Sequence, residues 1–188
     1  DALARSRALK DRALEAGILE VVARIRKAKG QFDEALRTCK ESSALFRSMG
    51  FTKGLHDASR VLVEVHLAMG SHTDAMRMAR TLVDAAQKTG NQVREKASWV
   101  LLVNTCNQAG DFDDAKTVGK EGLERLVMPQ DWKVKVDLLL GIASAYWLQH
   151  AEVLDEAVAL TSQANTLCTR NGYKAGERAC LELLTEMR

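Results

Sequence analysis

Three acidic residues, Asp111, Asp113 and Asp114, lie within the six-residue sequence GDFDDA. Carboxylates at this spacing could bind a divalent cation or act as a catalytic acid–base pair. A calcium loop, however, needs oxygen ligands that alternate over about 12 residues and end in a bidentate glutamate. This segment lacks that alternation. The other role for such acids is at the start of a helix, where they cap backbone amides and complement the helix dipole.

The same motif recurs along the chain, which decides between these roles. GQFDEA at 30–35, GSHTDA at 70–75 and GDFDDA at 110–115 follow one another with their glycines and alanines at intervals of 40 residues. A fourth copy, HAEVLDEA at 150–157, is two residues longer. Acids that recur with the period of the chain indicate a repeated structural element rather than one catalytic site. We expect one residue in each copy to cap the following helix: Asp33, Thr73, Asp113 and Asp155.

The composition favours a helical protein. The 188 residues include one proline and 5% aromatic residues, and 46% are hydrophobic, which is enough apolar material for a core. Because 27 basic and 25 acidic side chains nearly balance, nucleic acid and anionic membranes are not expected as main partners. No apolar run is long enough to predict membrane insertion.

The four cysteines are Cys39, Cys106, Cys168 and Cys180, and no CxxC pair is present. We expect reduced, packed thiols and no metal site. A reducing compartment such as the cytoplasm is favoured, and an organelle remains open if a targeting segment has been removed. The chain begins at Asp1 without a signal-peptide pattern, so we expect an excerpt or a processed product.

Apolar residues recur at helical spacing in pairs of segments. In the segment 55–70, for example, Leu55, Ala58, Leu62 and Val65 form one stripe. Second helices end at Gly50, Gly90 and Gly172 or run into Pro129. The predicted organisation is a tail of a preceding helix at 1–10, repeats at 11–50, 51–90, 91–130 and 131–172, and a terminal or capping helix at 173–188.

Two helices of this length cannot bury both of their faces alone, whereas stacked pairs form a continuous core. The expected fold is therefore all-α, a right-handed superhelical solenoid of antiparallel helix pairs. Gly119 and Gly122 should allow two helices to approach closely. On the last helix, Leu181, Leu184 and Met187 should form a stripe that no helix covers, unless this helix is a natural cap.

The chain resembles tetratricopeptide repeat arrays over nearly its whole length. The resemblance rests on the G-x-F-x-x-A turn and on an aliphatic–small pair that precedes an aromatic residue. The fourth repeat matches this pattern best, with Leu139, Ile142, Ala143, Tyr146 and Ala157. The other repeats have Arg26, His66 and Cys106 in the aromatic slot, and the period exceeds the usual length of about 34 residues. HEAT and armadillo arrays have a similar period but lack this turn.

The resemblance implies a non-catalytic scaffold or adaptor, or a subunit of a larger assembly, that binds a protein segment in a concave groove or at the solenoid ends. The alternative is a regulatory or sensor domain of a larger signalling or transcriptional protein. Helical repeats that read RNA are a further class, but the one-base-per-repeat code is not visible. No motif for nucleotide binding, zinc hydrolysis or a serine nucleophile is present, so neither enzymatic activity nor a cofactor is expected.

By the same resemblance, the first helix of each pair lines the groove. On this mapping the partner-binding residues are Glu20, Arg24, Lys27, Asp57, Arg60, Glu64, Asn104, Asn107, Asp137 and Trp147. The amides of Asn104 and Asn107 could hold the backbone of an extended peptide. Glu20 and Glu64 would repel a terminal carboxylate, so the expected ligand is a mixed-charge or partly apolar peptide, or a helix. Contact with a neighbouring chain through the end helices is also expected.

Overall fold

The computed structural model describes residues 2–126, 129–149 and 154–187. Within these residues the chain forms ten α-helices and no strand, so the predicted all-α class is confirmed. The helices are α1 (Ala2–Ala8), α2 (Arg12–Ala28), α3 (Phe32–Ser48), α4 (Thr52–Ala68), α5 (His72–Lys88), α6 (Gln92–Ala109), α7 (Phe112–Glu124), α8 (Trp132–Gln149), α9 (Leu154–Arg170) and α10 (Lys174–Glu186). A short 3-10 turn, Pro129–Asp131, precedes α8. None of the described helices combines the length and apolarity that crossing a bilayer requires.

The chain divides into two compact units, Asp1–Leu82 and Val83–Arg188, and the division falls inside α5. In unit 1, α2 packs against α1, α3 and α4, and α3 packs against α4. In unit 2, α6, α7 and α8 pack against one another, α9 packs against α8, and α10 packs against α8 and α9. Helices therefore contact their neighbours along the chain, which is consistent with a helical repeat.

Glycines end the helices where the backbone takes a left-handed conformation. Between helices of a pair, φ is +74°, +73° and +79° at Gly30, Gly70 and Gly110. After the second helices, φ is +65°, +64° and +65° at Gly50, Gly90 and Gly172. These turns confirm the predicted glycine stops. Lys10, 40 residues before Gly50, takes φ +55° at the end of α1 and is the one non-glycine residue with positive φ in the described chain.

The acids of the repeated turn begin helices, but the predicted capping residues are wrong. Asp111 caps α7, since its Oδ1 accepts a hydrogen bond of 3.2 Å from the amide of Asp114. Asp113, the predicted cap, lies inside the first turn. The other predicted caps are likewise inside their helices: Asp33, Thr73 and Asp155. The helices α3, α5 and α7 begin two residues after the turn glycine, and acids in a first turn complement the positive end of the helix dipole.

Small residues allow close packing in both units. In unit 1, Ala16, Ala23, Ala35 and Ala58 are fully buried in one apolar cluster. In unit 2, a Cβ atom placed on Gly119 of α7 would overlap the side chain of Ile142. A Cβ atom on Gly122 would lie 3.1 Å from Leu138 Cδ1. The close helix approach predicted from these two glycines is confirmed.

Two helix ends differ from the prediction. The helix α7 ends at Glu124 instead of continuing to Pro129, which begins the 3-10 turn. On α10, Leu181 is 58% exposed as expected, but Met187 is buried in a cluster with Ala143 and Ala157. The predicted uncovered stripe is therefore wrong at Met187, because α10 packs against α8 and α9. The part of the fourth turn at 150–153 lies outside the described residues.

Candidate functional site

Six of the predicted groove residues lie on α2 and α4, two helices of unit 1 that pack together. Glu64 joins cations from both helices. Its Oε2 lies 2.5 Å from Lys27 Nζ, and its Oε1 lies 3.1 Å from Arg60 Nη1. The side chains of Lys27, Glu64 and Arg60 keep 29%, 27% and 40% of their surface exposed. These charges are therefore held in position by one another while they remain accessible to a ligand.

Glu20 lies among charges of both signs on the same helices. The pKa of its carboxyl is raised, first by burial and second by the carboxylate of Asp57, with a smaller contribution from Glu64. Arg24 and Arg60 act in the opposite direction and lower this pKa. The net effect is a rise, and burial is its largest cause.

Asp57 of α4 is a further acidic residue of this region, and its contact with an ion-pair partner is long. Its Oδ1 lies 3.7 Å from His56 Nδ1, and 37% of its side chain is exposed. We name the set Glu20, Arg24, Lys27, Asp57, Arg60 and Glu64 the α2–α4 surface. It can accept a cation beside Glu20 and Asp57 by simple charge attraction.

The two asparagines of α6 have different surroundings. Asn104 is exposed. Asn107 is half-buried, and its Nδ2 donates a hydrogen bond of 2.8 Å to the carbonyl oxygen of Gly141 on α8. The Oδ1 atom of Asn107 is buried and has no hydrogen-bond partner among the described residues. The two amides predicted to bind a peptide therefore differ in their contacts. Asn107 joins α6 to α8, whereas Asn104 is exposed.

The remaining predicted residues lie on α8. Asp137 is exposed, whereas Trp147 is half-buried and packs against the apolar cluster of Ala143, Ala157 and Met187. The indole of Trp147 thus contributes to the packing of unit 2. A partner could contact only the exposed part of the Trp147 side chain.

Sequence reasoning missed an open pocket of about 720 Å³ in unit 2. It is lined by Gln92, Val93, Glu95, Lys96, Glu124, Arg125, Gln130 and Asp131. Within the lining, Lys96 Nζ lies 2.7 Å from Asp131 Oδ1, and these side chains are only 16% and 10% exposed. The lining comes from the start of α6, the end of α7 and the turn before α8. No local sequence pattern could have identified it.

The acidic residues of GDFDDA and the four cysteines lie in contacts within the fold. Asp113 Oδ1 lies 2.7 Å from Lys116 Nζ and accepts a hydrogen bond of 3.1 Å from Gln149. Over residues 2–126, 129–149 and 154–187, no three His, Cys, Asp or Glu side chains are grouped so that they could hold a metal ion. The four cysteines form no disulfide and are buried, and burial raises the pKa of Cys39 to about 12.

No protein-family model matches the sequence, and no curated protein shows significant similarity to it.

Proposed function

We propose that the chain is a non-catalytic scaffold that binds a segment of another protein. Its helix pairs resemble tetratricopeptide repeats and are stacked as a right-handed solenoid. The resemblance of the repeated turn to tetratricopeptide arrays supports this class. The arrangement of charges on the α2–α4 surface supports this surface as the place where the segment binds. Scaffolds of this kind work by shape and by the side chains on one face, and they need no cofactor.

The observation that carries the proposal is the ion-pair network around Glu64. Fixing charged side chains before a ligand arrives reduces the entropy that binding must overcome. Lys27 and Arg60 are held in this way, while Glu20 and Asp57 lie outside this network. Groups of this kind set specificity and the association rate more than they set affinity.

The surface also specifies the chemistry of the bound segment. A lysine or arginine side chain of the partner would lie beside Glu20 and Asp57, the two carboxylates of the surface that lie outside the Glu64 ion-pair network. An acidic side chain of the partner would face Arg24, which is exposed. We therefore expect a mixed-charge segment with a central basic residue. In unit 2, Asn104 and Asp137 are exposed and remain candidates for a second contact surface.

A displayed library of random peptides, selected on the immobilised chain, tests this function. We expect enriched peptides to contain a basic residue and to bind with measurable heat in titration calorimetry. The variant Asp57→Lys should lose this binding because it reverses the charge beside Glu20. The control Asp74→Lys makes the same change on α5, where the side chain is 50% exposed and pairs with Arg77, and should retain it.

The experiment distinguishes a failure of the binding function from a failure of the proposed location. If no peptide is enriched, the chain is not a scaffold for short segments. If peptides bind equally to both variants, the binding function stands but the α2–α4 surface is the wrong location.

A further inference from the structure

Two cysteines of unit 2 lie in contact with each other. Cys168 of α9 and Cys180 of α10 belong to one apolar cluster, and both are fully buried. A hydrogen bond joins their thiols. The other two cysteines bond to different groups: Cys39 Sγ donates to a backbone carbonyl oxygen at 3.0 Å, and Cys106 Sγ lies 3.8 Å from a carboxylate oxygen of Asp114. The contact between two thiols thus sets Cys168 and Cys180 apart from Cys39 and Cys106.

A glycine of α10 makes room for this contact. A Cβ atom placed on Gly176 would lie 2.5 Å from the Sγ atom of Cys168, so any larger residue there would push the sulfur away from α10. Cys180 follows Gly176 by four residues and therefore lies one turn further along the same face of the helix. This face of α10 provides both the space for the sulfur of Cys168 and a second sulfur beside it.

The corresponding place in unit 1 is packed without contact between two sulfur atoms. Phe46 lies four residues before Gly50 and Ala58 lies eight residues after it, and both are buried in one apolar cluster. The last turn of the chain has a cysteine at each of these two positions relative to Gly172, and they are the pair described above. An aromatic residue and an alanine can thus fill this place between two helices. Packing alone does not require two thiols here.

We propose that Cys168 and Cys180 are a reversible modification site, at which hydrogen peroxide converts the two thiols into a disulfide that fixes α10 to α9. In the first step the thiolate of Cys168 attacks a peroxide oxygen, the O–O bond breaks, and a sulfenic acid forms while the released hydroxide takes up the thiol proton. In the second step the sulfur of Cys180 attacks the sulfenic sulfur, and the hydroxyl group leaves with the second thiol proton as water. One peroxide is thereby reduced to two molecules of water. Two molecules of a small thiol reverse the change and become a disulfide themselves.

The surroundings of the pair make this reaction slow and selective. Burial is the largest effect on the pKa of Cys168 and raises it, as do the carboxylates of Glu177 and Asp137, whereas the hydrogen bond with Cys180 lowers it. Burial, and after it the contact with Cys168, raises the pKa of Cys180 to about 11. Because Cys180 donates to the Cys168 thiolate, Cys168 is the first to react. Since neither thiol is exposed, the site requires an oxidant as small as a peroxide.

The disulfide changes how α10 is held. The helix packs against α8 and α9, and Met187 just after it is buried in a cluster with Ala143 and Ala157. In the reduced chain these non-covalent contacts hold α10, so it can open locally. A bond between Cys168 and Cys180 closes a short loop and lowers the entropy of the open state. Oxidation should therefore stabilise the packed position of α10.

Mass spectrometry of the whole chain after treatment with hydrogen peroxide tests the modification. Trypsin cleaves at three basic residues between Cys168 and Cys180, so the two cysteines fall in separate peptides that only a disulfide would join. We expect this joined pair, its loss on addition of a thiol, and free thiols at Cys39 and Cys106. Cys168→Ser and Cys180→Ser should each abolish the joined pair, whereas the control Cys39→Ser should retain it. Circular dichroism checks that the variants remain helical.

Hydrogen exchange tests the effect on α10. Oxidation should slow the exchange of α10 amides at least about fivefold and leave α2 of unit 1 unchanged. The same treatment of Cys180→Ser should slow neither helix.

Three results would overturn the proposal. These are oxidation of all four cysteines at equal rates, a disulfide that joins two chains, and no joined pair at any peroxide concentration that leaves the chain helical. A disulfide that leaves the exchange of α10 unchanged would overturn the fixing of α10 to α9. The measurements contain no peptide ligand, so their result is independent of the binding function proposed above.

Discussion

The side-chain amide of Asn107 donates a hydrogen bond of 2.8 Å to the carbonyl oxygen of Gly141 and so joins α6 to α8 across unit 2. At this point the two helices are close, since a Cβ atom on Gly141 would lie 2.5 Å from Val103 Cγ1. A residue that the sequence suggested as a ligand-binding amide therefore has a role in stability. Of the two asparagines, Asn104 is the exposed one.

Substitution of Asn107 separates these roles. Asn107→Ala should lower the free energy of unfolding by about 1–2 kcal/mol, because it removes a half-buried hydrogen bond and leaves a small gap. Asn104→Ala should change it by less than about 0.5 kcal/mol, since Asn104 is exposed. Urea denaturation followed by circular dichroism measures both. Equal losses in the two variants would contradict the assignment.

Two glycines within helices should respond in opposite directions. At Gly17 of α2, an added Cβ atom meets no atom within 4 Å, so Gly17→Ala should raise the free energy of unfolding by about 1 kcal/mol through helix propensity. At Gly141 of α8, the same change places the Cβ atom against Val103 and should destabilise the chain by about 1–3 kcal/mol. Thermal unfolding of both variants tests this. A gain in stability from Gly141→Ala would show that α6 and α8 can move apart at no cost.

The carboxyl of Glu20 should make stability depend on pH. Its pKa is raised above the ordinary value of 4.5 by burial and by Asp57 and Glu64, against the opposing effect of Arg24 and Arg60. A raised pKa means that the folded state binds a proton more tightly than the unfolded state. Stability should therefore fall as pH rises from the ordinary pKa through the raised one, and remain lower above it.

The variant Glu20→Gln removes this effect. It should melt at a higher temperature than the unchanged chain at about pH 7, and the difference should shrink as pH falls below about 4.5. Scanning calorimetry over this range measures the difference. A lower melting temperature for Glu20→Gln at neutral pH would mean that attraction to Arg24 and Arg60 outweighs burial.

The ion pair of Lys96 with Asp131 should be strongly coupled. Both side chains are largely buried, so Lys96→Met would remove the ion pair of a buried carboxylate and cost about 2–3 kcal/mol of stability. The double variant Lys96→Met/Asp131→Asn should recover part of this loss, because the buried negative charge is removed as well. The exposed Lys120→Met on α7 serves as the control and should have little effect. A double variant less stable than Lys96→Met would contradict this account.

The helices were predictable because their signals are local. Apolar spacing and turn glycines act within a few residues, and the left-handed conformation at Gly50 or Gly110 follows from local chemistry. The capping residue was misplaced because the position of a cap depends on the backbone just after the glycine, which the repeat pattern does not resolve. Asp111 therefore took the role assigned to Asp113.

The candidate site was predictable only in part, because it depends on contacts between distant residues. The use of Asn107 in packing depends on Gly141, and the pocket depends on Asp131 lying beside Lys96. Neither pair has a signature in a single sequence. The burial of Met187 has the same origin, since the last residues of α10 meet α8 and α9 only after the chain has folded.

The packing of α2 against α3 and of α3 against α4 has a consequence for the order of folding. In unit 1, Ser42 of α3 donates a hydrogen bond of 2.8 Å to the carbonyl oxygen of Ala16 on α2. Contacts of such short sequence separation close small loops and favour fast folding. A helix pair of this chain can therefore assemble while later residues are still being synthesised, and each pair then offers a surface on which the next helix forms.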